Sequence, residues 1–208
     1  MSGLRELKKR QTRENISHNA TRLFLERGFD KVTIAEVAAA SQVAKMTVTN
    51  YFPRKEDLAL DLHEVFVAAP AAAVRGRERG ESALAALRRA FGDAVARRDA
   101  VIGFSGLPFA RMIAESPALV ARLREFHEER EHLLARELAR ETGAAPEELT
   151  PRIAAAQLGG ALRVLFEETM RRTLDGQDHD EIAAALADAG QAAFGLLEPS
   201  LGDYAVRR

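Results

Sequence analysis

Apolar residues recur along this chain at helical spacing almost from end to end. Ile16, Ala20, Leu23 and Phe24 fall at i, i+4, i+7 and i+8, one buried stripe of an amphipathic helix that Gly28, a natural C-cap residue, should end. Ile34, Val37 and Ala38 repeat the pattern over two turns. Thr33 stands before them as an N-cap, and Glu36 completes a Thr-x-x-Glu capping box. A turn at Ser41-Gln42-Val43 leads to a third short helix, which offers Val48 and Phe52 to the core at i and i+4 and stops at Pro53. Lys45, Met46, Thr47, Thr49 and Asn50 are left facing outward. A cation, hydroxyls, an amide and a soft apolar side chain are the types that meet phosphates, base edges and thymine methyls. Three helices around one small core, the last with such a face, predict a helix-turn-helix reader of double-stranded DNA. The bland alternative is a solvated corner of an all-α protein.

Beyond residue 55 the period stays helical, with Ala, Leu, Arg and Glu dominating and no alternating β-branched run. The fold class predicted is all-α with about nine helices, residues 1–55 forming the DNA-binding domain with a basic arm and residues 56–208 a second helical domain. A fourth helix should span about 56–73, and the next about 82–100 from Ser82. After a break at Gly103–Pro108 and a short helix, one helix runs from 117 to about 142, with Ser116 as cap and Pro117 in its first turn. The last two should cover about 150–174 and 178–197. Ile153 to Phe166 is apolar or small almost all round, with Gly159-Gly160-Ala161 permitting close approach, while Ile182, Leu186, Ala189, Ala193 and Leu197 form a stripe. A helix apolar on every side needs partners beyond one small domain.

The ordered string from residue 12 to 62 resembles the DNA-binding domain of the TetR (tetracycline-repressor) family of transcriptional regulators. It is carried by Ala20, Leu23-Phe24, Arg27-Gly28-Phe29, Val32 to Ala38, Val43, Thr47, Tyr51-Phe52, Lys55-Glu56 and Leu58. Two positions depart from the family pattern: Ala44 replaces a serine that caps the recognition helix, and Thr49 replaces an aromatic residue that meets phosphate. The resemblance places Thr33 and Lys55 on phosphates, Tyr51 on phosphate or in packing, and Lys45, Met46, Thr47 and Asn50 near bases, with Thr49 a shorter phosphate contact or none. It also implies a homodimer through the last two helices, a palindromic operator and a small-molecule effector whose binding releases the DNA. Activation of transcription is the nearer alternative to repression. An all-α small-molecule-binding or hydrolytic protein is the more distant one.

Charge alters the picture only when the chain is divided. The whole carries a net of −1, but residues 1–55 hold eleven Lys or Arg against five acids, a net of +6 that leaves −7 for the remainder. A basic head on an acidic body directs only the head to a polyanion. Within the head, Arg5 to Arg13 reads either as a disordered arm reaching phosphates or a minor groove, or as a solvated tail.

The effector candidates are apolar and aromatic residues of the body: Phe66, Phe91, Phe104, Phe109, Met112, Phe126, His127 and Phe166. An apolar or acyl-like effector suits them, and Arg88, Arg97 and Arg111 are cations available to an anionic one. His127 and His132 lie five apart, about 140 degrees around a helix, and do not converge on a metal. There is no cysteine, and no glycine-rich phosphate loop, nucleophile elbow or convergent acid pair is visible. No cofactor, metal or catalytic role is predicted. The longest apolar stretch, Val65 to Val74, is short and broken by Pro70, so no membrane partner and a cytoplasmic location are expected.

Overall fold

The capping box read from Thr33 and Glu36 is present. The Thr33 backbone N–H donates to Glu36 Oε2 at 2.8 Å, and the Glu36 N–H donates to Thr33 Oγ1 at 3.2 Å. In the computed structural model, which describes residues 2–145 and 147–207, this cap opens the second of ten α-helices: α1 (Ser2–Arg27), α2 (Ile34–Ala40), α3 (Lys45–Tyr51), α4 (Lys55–Ala59), α5 (His63–Arg75), α6 (Ala83–Arg97), α7 (Leu107–Glu115), α8 (Pro117–Thr142), α9 (Leu149–Leu174) and α10 (His179–Leu201). A 3₁₀ turn, Ala100–Ile102, follows α6. Among the described residues there is no strand, so the all-α expectation holds.

The count exceeds the expected nine because the helix predicted over 56–73 is divided into α4 and α5. Leu60 leaves the helical region at φ −104°, ψ 49°, and the next residue is held by distant partners. The Asp61 carbonyl accepts from Arg13 Nη2 at 3.0 Å, and its carboxylate accepts from the Ser17 hydroxyl. A carbonyl so engaged is turned away from a helix ladder.

At the N-terminus the difference runs the other way. Arg5 to Arg13 is not a disordered arm but the opening turns of α1, exposed up to Gln11 and half-buried at Thr12 and Arg13. No glycine or proline interrupts residues 4–27, and Arg10 and Glu14 form an i,i+4 pair at 3.6 Å. α9 starts at Leu149, one residue before the predicted start, with Pro151 still inside the first turn, where its missing N–H costs nothing.

The chain divides into two compact units. The first holds the residues up to His63 together with Arg111–Leu123; the second holds Glu64–Ala110 and the chain from Arg124 onward. The core of the first joins Ile16, Ala20 and Phe24 of α1 to Val37 of α2, Val48 of α3 with Phe52 at its C-cap, and Leu58 of α4. Gly28 ends α1 at φ +88°, its N–H returning to the Phe24 carbonyl at 2.8 Å. That left-handed exit is one glycine enters without strain. Asp57 is buried at the start of α4, where its carboxylate accepts the Arg54 N–H at 3.2 Å and Arg122 Nε at 2.8 Å.

The second unit packs Leu84, Leu87 and Phe91 of α6, Leu134 and Leu138 of α8, Leu158 and Leu165 of α9, and Ile182, Leu186 and Phe194 of α10 into one cluster. Its chain reversal after the 3₁₀ turn depends on Gly103. There φ is +100°, and a Cβ would lie 3.1 Å from both the Phe166 carbonyl oxygen and Thr169 Cβ, leaving no room for a side chain. No helix among the described residues is long and apolar enough to cross a membrane.

Candidate nucleic-acid interface and helical-domain cavity

α3 is short, seven residues, and is held from within by Val48, fully buried, and by Phe52 just beyond its end. That burial fixes which face remains outside. Lys45, Met46 and Asn50 are exposed, Met46 to 70%, while Thr47, Thr49 and Tyr51 are half-buried at the margins. An exposed methionine between a lysine and an asparagine gains nothing from folding, but it complements an apolar base edge such as the thymine methyl. Ala44 sits at the N-cap of α3 and makes no side-chain cap bond, while the Thr47 N–H returns to the Ala44 carbonyl at 2.9 Å.

Thr49 has turned its hydroxyl inward, donating to the Met46 carbonyl at 3.1 Å, which leaves its oxygen lone pairs as acceptors only. Lys55 lies 4.3 Å over the Phe29 ring and reaches the Asp30 carbonyl at 3.5 Å. Partial burial lowers its pKa, and these two contacts hold the ammonium against the core of the head. Thr33 is exposed at the N-terminus of α2, its hydroxyl engaged in the capping box.

Glu36 ties that cap to α1 through Arg27 Nη2 at 2.7 Å. The Thr33 backbone amide and the Arg27 guanidinium hold its carboxylate at a pKa of about 2, against an ordinary 4.5. With the folded pKa depressed, the stability it contributes is complete above about pH 4.5 and is lost as the pH falls towards 2. The Glu36→Gln protein should therefore lose less stability than the parent between those values. Thermal midpoints measured across the acid range check this, and parallel curves for the two proteins would dismiss it.

In the second unit, three of the aromatic candidates converge. The rings of Phe66, His127 and Phe166 meet edge to face with centroids 5.1, 5.6 and 5.3 Å apart. His127 is neutral: burial, then the charges of Arg130 and Arg163, lower its pKa to about 3. Beside this trio a cavity of about 250 Å³ lies between α5, α6, the 3₁₀ turn, α8 and α9. Phe91, Leu87, Leu162 and Pro70 line it, and Arg97, Asp99 and Arg130 supply its polar groups.

The remaining candidates are placed elsewhere. Phe104 is buried edge-on against His179 at 5.5 Å, Phe126 is buried, and Phe109 is half-exposed near the start of α7. Met112 belongs to the first unit and is not gathered with the others. Of the cations proposed for an anionic effector, Arg88 pairs with Glu198 and Arg97 with Asp99, and Arg111 is exposed. Arg130 was not among them. Its signal was nevertheless in the sequence, because it stands where Phe126, Leu134 and Leu138 set an apolar stripe on α8.

A basic three-helix head with an outward polar recognition helix, followed by a helical unit with a largely apolar cavity, defines a helix-turn-helix regulator. Residues 16–62 match the family described as bacterial regulatory proteins, tetR family. The chain is 31% identical to the HTH-type transcriptional regulator TcmR of Streptomyces glaucescens over 205 residues, 96% of this chain and 88% of that protein. The fold is also that of NalD, the secondary repressor of the MexAB-OprM multidrug efflux pump in Pseudomonas aeruginosa, with 21% identity, 88% and 97% of the two chains covered and a TM-score of 0.55. A TetR-family regulator from Syntrophomonas wolfei shares it too, at 18% identity, 91% and 98% coverage and a TM-score of 0.56. The chain belongs to the tetR family and is a DNA-binding transcriptional regulator.

Proposed function

We propose that this regulator is a repressor that binds a palindromic operator as a homodimer and leaves it when a small molecule occupies the cavity of the second unit. The observation that carries the DNA-reading half is the exposed face of α3, Lys45, Met46 and Asn50, standing over a fully buried Val48. Thr47 and Thr49 flank the base-reading positions, and Thr33, Tyr51 and Lys55 supply the backbone contacts that set register. NalD, which has this fold, is itself a repressor.

The homodimer reading is supported by apolar side chains that the chain leaves uncovered. On α9, Leu149, Ile153 and Val164 are exposed along one face that also carries Gly160, and on α10 Leu196 is 82% exposed next to Gly195 and Ala192. Such a stripe on two adjacent helices suits a two-fold interface with its own copy. Two heads related by that axis would read two half-sites in neighbouring major grooves. Effector occupancy releases DNA only through differential affinity for the two conformations, which makes the coupling reciprocal.

Selection of bound sequences from a random duplex pool at two salt concentrations tests the reading; a palindromic consensus is expected, and no enrichment at either salt would overturn it. With the operator known, Lys55→Ala should weaken binding to all sequences and lower the salt slope by about 1, whereas Asn50→Ala should relax preference at particular base pairs at a cost of about 1–3 kcal/mol. Equal, sequence-independent losses from both substitutions would remove Asn50 from the base-reading set.

A further inference from the structure

Arg130 is 5% exposed, on α8. Its guanidinium lies 4.5 Å over the Phe66 ring, and Nη2 meets His127 Nδ1 at 3.1 Å. The neutral imidazole can only accept there, so it orients the guanidinium without compensating its charge. Among the described residues no carboxylate stands within ion-pair distance of Arg130. The one acid on the same cavity wall, Asp99, is engaged by Arg97 at 3.3 Å and by the Val101 amide at 3.0 Å. Arginine keeps its proton even here; burial brings its pKa down only to about 10. A buried charge is ordinarily matched by an opposite one, because an uncompensated ion in a protein interior is strongly destabilising. Arg130 instead faces a cavity whose other walls are Leu87, Phe91, Leu162 and Pro70.

We propose that this cavity binds an amphipathic organic anion, a carboxylate on a compact apolar body of about naphthalene size, with the charge on Arg130. The planar fork of the guanidinium matches a carboxylate with two parallel bonds, and the aliphatic and aromatic walls take the hydrophobic body. The volume of about 250 Å³ corresponds to roughly eight water molecules, so the ligand is compact. Arg130 provides affinity for charge and the walls affinity for shape, a division common to small-molecule sites. As the class of effector, this rests on the regulator reading above; as a binding site, it does not.

The test uses the full-length protein and two probes of the same shape, naphthalene-2-carboxylate and its neutral amide, naphthalene-2-carboxamide, titrated calorimetrically at neutral pH. The carboxylate should bind the parent at least tenfold more tightly than the amide. Arg130→Met should abolish that preference, and Arg130→Lys should restore part of it. Equal affinities in the parent, or no binding of either probe, overturn the proposal even if Arg130→Met does not fold. Displacement from the selected operator separates this from the wider reading. If both probes bind equally and release DNA equally, the anion site falls and the regulator stands; if the carboxylate binds through Arg130 but no operator is enriched, the reverse holds.

Discussion

A Val164→Glu chain is expected to sediment as a monomer and to lose operator affinity by about 10²–10⁴-fold, the factor by which linking two binding modules raises their joint affinity. Val164 is 55% exposed in the middle of α9, on the face it shares with Leu149 and Ile153, and its side chain is absent from the core cluster of its own unit. Replacing it removes little internal packing, and a surface substitution of this kind usually alters stability by no more than about 0.5 kcal/mol. In a two-fold interface every residue occurs twice, so one substitution buries two carboxylates without cations to match them. Sedimentation velocity at micromolar concentration, with operator binding on the same samples, checks the prediction. Leu196→Glu on α10 should act the same way. Two substituted proteins that remain dimeric and bind as the parent does would locate the interface on another surface.

How far the head could be read in advance follows from how local its signals are. The capping box, the apolar spacings and the glycine exit each lie within eight residues, and all set element boundaries by short-range hydrogen bonding and burial. The division between α4 and α5 is not of this kind. It depends on Arg13 and Ser17 capturing Asp61 across 48 and 44 residues, and nothing around residue 60 announces it. The helical beginning of α1 is legible only if charge is not taken to mean disorder, since residues 5–13 contain no helix breaker.

In the second unit, hydrophobicity identified apolar positions without separating core from cavity. Phe91 lines the cavity whereas Phe104 packs against His179, and their sequence contexts do not distinguish them. Arg130 was obscured by an ordinary property of arginine, which commonly runs its stem along apolar surface and keeps its head in water. Position on the stripe, not residue type, marks it as buried. A cation at i+4 from one buried apolar residue and i−4 from another is therefore the pattern to notice on such a helix.

Arg77 presents a buried cation of the opposite kind, fully compensated, and its replacement by methionine should cost about 3–5 kcal/mol, the loss typical of breaking a buried ion pair from one side. Its side chain is 1% exposed at the end of α5. Nη1 donates to the Val74 carbonyl at 2.5 Å and pairs with Glu141 at 2.8 Å, while Nε and Nη2 both donate to the Ala205 carbonyl, at 3.2 and 2.9 Å. One guanidinium thus joins α5, α8 and the segment after α10. That segment is further fixed by the Gly80 N–H to the Arg207 carbonyl and the Arg207 N–H to the Glu81 carbonyl, at 2.8 and 3.1 Å. Methionine fills much of the volume but leaves the Val74 and Ala205 carbonyls without their side-chain donor, and Glu141 with Arg140 as its remaining ion-pair partner. At about 2–4 °C per kcal/mol for a chain of this size, the thermal midpoint should fall by about 6–20 °C, and residues 203–207 should become sensitive to proteases. Arg77→Lys should recover less than half the loss, because an ammonium cannot serve all three acceptors in the fixed geometry of the fork. Removing both charges in Arg77→Met with Glu141→Leu should be milder than Arg77→Met alone, since the Glu141 carboxylate then no longer faces the apolar replacement with only Arg140 to match it. A single-substitution loss below about 1 kcal/mol would instead assign the anchoring of the C-terminal segment to its backbone bonds, whose net worth is each about that size.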